Sequence, residues 1–257
     1  MPLNLRQVAF VAEKLEPVLD DLRGVFDLKV CYVDPEVAEF GLENSLLPIG
    51  TNFIEVVAPT RPGTAAGRYL ERRNGDSGYM VITQADGRDD QVAHRNRATE
   101  LGVRIVWQRE HDRGQFLQLH PADTGGAFFE IDSVLDNDPL GTWPPAGEPG
   151  WEKFVNQNLV RSIRTVELQS NDPLALAERW GAIAALEVSY DPTGQCILAL
   201  ENATIRFVEE SDGRGEGLSA VDVEVVDKPR VLLNAERRGC LIDNEQIVIC
   251  GVRFNLH

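Results

Sequence analysis

Apolar and polar residues alternate in short runs along most of this chain, and helix-like stretches separate the runs. Near the start, an alternating segment over Arg6–Ala12 gives way to Leu15, Val18, Leu19, Leu22 and Val25. That i, i+3, i+4, i+7, i+10 stripe marks an amphipathic helix. Pro17 falls in its first turn, where a missing N–H is tolerated. Strand-like runs follow at Leu28–Val33, Glu39–Leu47 and Asn52–Ala58. The order is strand, helix and three strands.

The same order recurs from Gly78. Strand Tyr79–Gln84 leads to helix Asp89–Leu101, stopped by Gly102, and to strands Arg104–Gln108, Gln115–His120 and Ala127–Ser133. A third pass has strand Arg164–Gln169, helix Leu174–Trp180 and strands Leu186–Tyr190, Cys196–Glu201 and Ala203–Glu209. The fourth has strand Leu218–Val226, helix Lys228–Arg238 closed by Gly239, and strands Cys240–Asp243, Gln246–Cys250 and Val252–Leu256. Four βαβββ modules predict an α+β fold built in tandem. The run PLGTWPPAGEPG at 139–150, with four prolines and three glycines, cannot be helix interior or central strand. It divides the chain into an expected domain at 4–135, a linker at 136–159 and a second domain at 160–257.

Charge narrows the partners. Among 257 residues, 25 Lys and Arg stand against 41 Asp and Glu, a formal net charge of −16. Such a surface repels phosphate backbones and anionic membranes, and no basic cluster with interleaved aromatics appears, so neither nucleic acid nor membrane is expected as a partner. No signal peptide or apolar run of spanning length is visible, and the expected location is the cytoplasm. Cys31, Cys196, Cys240 and Cys250 form no CxxC pair and read as buried thiols. Subunits that pair through sheet edges would give a homodimer.

Two segments carry a resemblance. NFIEVVAP at 52–59 and LHPADTGGAFFEID at 119–132 resemble strands of the glyoxalase-like, or vicinal oxygen chelate, superfamily, which includes bleomycin resistance proteins and dioxygenases; methylmalonyl-CoA epimerases are the closest motif match. The opening QVAFVAEKLEPVLDDLRGVFDLKV and the later GVRIV are similar to its first strand and helix and to its second module. The resemblance implies paired modules curled into two cups, with ligand on the concave face. It also implies a divalent metal (Mg, Mn, Ni or Zn) held by one residue from each of four strands. Carried over by position, the ligands are Gln7, Glu55 and Glu130, with Glu55 and Glu130 also the candidate catalytic groups. Val81 stands where a histidine is usual. Phe53, Tyr79, His120 and Phe128 are the substrate-side candidates. The degenerate C-terminal copy places Thr165, Arg206, Ala220 and Asn255 at the matching positions.

Strand parity places Glu55 with Phe53 and Val57, and Glu130 with Phe128 and Asp132. A buried carboxylate at such a position neutralises, pairs or binds a cation; otherwise these acids are surface ion-pair partners. Gln7 with two carboxylates is a hard-oxygen set suited to Mg²⁺, Mn²⁺ or Ca²⁺ rather than zinc. Without metal, Glu55 or Glu130 could serve as a general base of raised pKa. Arg206 could meet an anion or pair with an acid. His94 reads as solvated helix surface, and His111 as a loop residue that could line the cup mouth. Three functions stay open: an isomerase or lyase that stabilises an enolate on a small polar organic ligand, a metal-free sequestering protein, and an extradiol-type dioxygenase.

Overall fold

A computed structural model describes residues 2–147 and 149–257, with His111 described in backbone alone. The first half runs β1 (Leu3–Val11), α1 (Leu15–Phe26), β2 (Leu42–Ile49), β3 (Asn52–Pro59), α2 (Ala65–Arg73), β4 (Ser77–Ala85), α3 (Arg88–Glu100), β5 (Ile105–His111), β6 (Gly114–Leu119) and β7 (Phe128–Val134). The second half runs β8 (Val160–Ser170), α4 (Pro173–Ala184), β9 (Ser189–Tyr190), β10 (Cys196–Ala199), β11 (Thr204–Glu209), β12 (Gly217–Val225), α5 (Lys228–Arg238), β13 (Gln246–Ile249) and β14 (Val252–Leu256). β1 to β7 form one sheet, in the order β2-β3-β1-β4-β7-β6-β5, and β8 to β14 another, in the order β13-β14-β12-β8-β11-β10-β9.

The helices begin and end for local reasons. α4 and α5 start on Asp172 and Asp227, whose side chains accept from Ala175 and Arg230 N–H, with proline in the first turn of each. α1 closes on Asp27 and α5 on Gly239, both in the left-handed conformation. α2, begun by Thr64, lies in a stretch where the sequence shows no apolar stripe long enough to announce it.

In three of the four modules the element after the helix is shorter than its sequence suggests, whereas in the second Arg104–Gln108 becomes the seven-residue β5. Leu28–Val33 is reduced to one bridge, Tyr32 with Leu46, because Pro35–Phe40 turns into a 3-10 helix capped by Asp34. Cys240–Asp243 becomes the bridge Leu241 with Ile247, and Leu186–Tyr190 keeps two strand residues. These segments lie at sheet edges, where short strands limit unwanted pairing.

The chain forms two compact units. One comprises residues 1–7, 79–144 and 165–218. In it β4 runs parallel to β7, and β8 parallel to β11. α3 lies against α4, and Trp180 of α4 stacks on Phe129 with ring centroids 4.2 Å apart and meets Phe207 edge-on at 6.2 Å. The other unit comprises residues 8–78, 145–164 and 219–257. There α1 packs on α5, and Phe254 of β14 meets Phe10 of β1 at 5.8 Å and Phe26 of α1 at 5.3 Å.

All four cysteines are free; Cys31 is half-buried rather than buried, and the other three are buried. Desolvation pushes the Cys31 and Cys240 thiols up to about 11, so neither is a nucleophile at neutral pH. No helix among the described residues is long and apolar enough to cross a membrane.

Candidate functional site

The two candidate acids sit in strand interiors, and neither is a surface ion-pair partner. β2 pairs with β3 so that Leu46 faces Glu55 and Pro48 faces Phe53; Phe53 and Glu55 therefore share a face. Glu55 is 8% exposed, and its Oε1 accepts from Asn44 Nδ2 at 2.6 Å. Phe53 is covered by Trp151, ring centroids 5.0 Å apart, at the start of the 3-10 turn Trp151–Phe154.

Glu130, in the other unit, is 4% exposed and lies two residues before the fully buried Asp132. Burial, then the charge of Glu130 and a hydrogen bond to it, push the Asp132 carboxyl well above the ordinary carboxylate range. The Leu117 N–H donates to Asp132 Oδ1 at 3.2 Å. These effects favour the protonated form of Asp132.

Register corrects one sequence assignment. β4 pairs with β7 so that Val81 lies beside Phe129 and Ile82 beside Glu130. Phe129 packs on Trp180 of α4, so Val81 belongs to the helix-packed face and Ile82 to the face of Glu130. Val81, the position the motif aligns, thus faces away from Glu130, and Ile82, which shares the Glu130 face, offers no donor atom.

Gln7 is held by a residue of the proline-rich run. Trp143 Nε1 donates to Gln7 Oε1 at 2.8 Å, and the indole is fully buried. The Arg6 guanidinium lies 4.8 Å from the Trp143 ring centroid. Its Nη1 donates to Gln84 Oε1 at 2.8 Å and to the Asp138 carbonyl at 3.2 Å, and its Nη2 to the Gly141 carbonyl at 3.1 Å. Burial pushes this guanidinium down to about 10, against the opposing charges of Asp138 and Asp136. Arg6, Trp143 and Trp151 escaped the sequence reading, yet each left a signal: a cation inside an apolar strand, and two indoles in or beside a segment with no helix or strand of its own.

The remaining candidates separate. Tyr79 and Phe128 meet edge-to-face at 4.9 Å, both buried. His120 organises a turn: its Nδ1 accepts from Ala122 N–H at 3.1 Å, and Thr124 Oγ1 donates to the carbonyls of His120 and Ala127. Gly126, with φ of +84°, comes so near the Glu216 carbonyl that a Cβ would lie 2.2 Å from its oxygen. The DTGG motif is thus a close-packing device.

His94 is not solvated: it is buried where α3 faces α4, its Nδ1 is 3.3 Å from the Ile183 carbonyl, and desolvation lowers its pKa. The His111 side chain lies outside the described residues. In the C-terminal copy, Arg206 pairs with Glu167 at 3.0 Å. Asn255 Nδ2 donates to Asp222 Oδ1 at 2.6 Å.

Gln7 Oε1 and Glu55 Oε1 each accept one hydrogen bond, which orients the side chain and leaves further lone pairs on it. Ile82, on the face of Glu130, supplies no donor atom. Among the described residues no group of three or more His, Cys, Asp or Glu could hold a metal ion.

No family model and no curated protein matches the sequence. Solved structures do match. A triple mutant of 4-hydroxymandelate synthase from Streptomyces coelicolor is similar at 16% identity and TM-score 0.65, over 93% of this chain and 76% of that one. A hypothetical protein from Staphylococcus aureus is similar at 15% identity and TM-score 0.64, over 100% and 99%. Methylmalonyl-CoA epimerase in complex with methylmalonyl-CoA and NH4+ is similar over 54% of this chain and 99% of that one, at 18% identity and TM-score 0.46. At these identities the first two likenesses show the fold, and the resemblance carried by the sequence is borne out at that level.

Proposed function

With a glyoxalase-like tandem βαβββ fold as the premise, we propose that this chain is a metal-independent binding protein for a small polar organic molecule. The observation that carries this reading is the hydrogen bond from Trp143 Nε1 to Gln7 Oε1. It fixes the Gln7 amide against an indole, and with Ile82 bringing no donor to the Glu130 face the residues at hand are aromatic rings and polar side chains, the usual make-up of a small-molecule site.

A second reading, isomerisation through an enolate, has one observation in its favour. Glu130 stands beside Asp132, whose protonated form burial favours, an arrangement that would pair a carboxylate base with a neutral acid in a buried place. Proton abstraction by Glu130, with hydrogen bonding from Asp132, would need no metal.

Melting of chelator-treated protein should be unmoved by Mg²⁺, Mn²⁺, Ni²⁺ or Zn²⁺. A saturable rise in Tm with one ion, abolished in Q7A and E130A, would overturn the metal-independent reading. Exchange of substrate α-protons with deuterated solvent, lost in E130Q, would favour the isomerase.

A further inference from the structure

We infer that Arg6 is the carboxylate-binding residue of a site for an aromatic acid, and that the proline-rich segment is the built-in occupant of that site. The inference rests on the binding reading above and assigns it a ligand class and a controlling segment.

Arg6 is 0% exposed, and its Nε has no hydrogen-bond partner among the described residues. A buried guanidinium with an orphaned donor is under-satisfied, since each unmet buried donor carries a desolvation penalty. Two of the acceptors it does have are main-chain carbonyls of Asp138 and Gly141, one on Nη1 and one on Nη2. That is where the two oxygens of a carboxylate would sit in a bidentate pair, the arrangement guanidinium groups favour. The ring of Trp143 covers the guanidinium face, as an aromatic ligand would, while its N–H meets Gln7. The segment thus reproduces, with neutral carbonyls and one side chain, the parts of an aromatic acid carrying a ring N–H.

A real carboxylate would be the stronger partner, because hydrogen bonds to an ionised acceptor are roughly twice as strong as those to a neutral one. The segment's hold is incomplete elsewhere too: the buried indole N–H of Trp151 has no partner among the described residues. Four prolines and three glycines deny the segment a ladder of its own. Its displacement therefore breaks side-chain and carbonyl contacts rather than a strand or an α-helix.

The test uses the full chain and indole-3-propionate (the carboxylate), whose two methylenes let the ring fold over the guanidinium face while the acid meets its edge, with the neutral isostere indole-3-propionamide (the carboxamide) as control. W143A should bind the carboxylate at least tenfold more tightly than the wild type does, and at least tenfold more tightly than it binds the carboxamide. R6K in the W143A background should erase the preference for the acid. In the wild type, saturating carboxylate should speed limited proteolysis of the proline-rich segment while the carboxamide does not, a readout independent of whether W143A folds. Equal binding of both compounds by W143A would overturn the role of Arg6 and leave the broader binding reading standing. Failure of folded W143A to bind either compound, with unchanged wild-type proteolysis, would overturn the inference, whereas the metal titrations above decide that broader reading separately.

Discussion

Burial favours the protonated form of Asp132, and this sets a sign for the pH dependence of stability. Its carboxyl is raised by burial first and by Glu130 second, so above the ordinary aspartate pKa of about 3.9 the folded chain holds a proton that the unfolded chain releases. Stability contributed at this site is fully present at low pH and falls as pH rises, by about 1.4 kcal/mol per pH unit until the folded group itself titrates. D132N removes the titration and keeps an oxygen for the Leu117 N–H. Urea unfolding at a series of pH values should show D132N gaining on the wild type as pH rises above the ordinary aspartate range, and parallel curves would contradict the assignment. Alternation places Glu130 and Asp132 on one face from the sequence alone. The raised Asp132 carboxyl is a matter of burial, which depends on what the rest of the chain lays over it.

At the scale of elements, helix ends are where short sequence signals decide structure. The Asp172 side chain accepts from Ala175 N–H at 3.0 Å, with Pro173 next in line, and so begins the helix that carries Trp180. D172A should cost about 1 kcal/mol, which lowers Tm by roughly 2–4 °C in a protein of this size. D172N, which retains an acceptor, should recover most of that loss in calorimetry. The signals for α1, α3, α4 and α5 were legible as caps, apolar spacing and glycine stops. α2 was not: within AAGRYLERR the buried positions Ala66, Tyr69, Leu70 and Arg73 include an arginine, and that breaks the apolar stripe a reader looks for. Strand lengths at the sheet edges were overread for a similar reason, since propensity marks residues that could extend and the edge decides which find partners.

The whole molecule joins elements that lie far apart in the chain. Phe10 and Phe26 have their ring partner at Phe254, and Phe129 has its partner at Trp180. α1 rests on α5, and α3 on α4. Each compact unit therefore draws apolar contacts from both sides of the proline-rich segment. A fragment of residues 1–135 should expose these aromatic surfaces, bind an apolar dye such as ANS and unfold without a sharp transition. Cooperative melting and the absence of dye binding in the fragment would show that its half of the chain suffices.

Some of this protein was settled by its sequence alone. Alternation and the 3.6-residue stripe dictate the repeated strand and helix order, because burial of one face is a local demand on spacing. The motifs around Glu55 and Glu130 point to the glyoxalase-like fold, and strand parity puts each acid on the face of its phenylalanine. Tertiary structure decided the rest: that Val81 turns toward the helices and Ile82 toward Glu130, that His94 is buried, and that Gln7 is engaged by Trp143, 136 residues away. Register, burial and long-range hydrogen bonds are properties of residues brought together across the chain, and no local pattern encodes which distant indole will come to rest on which amide.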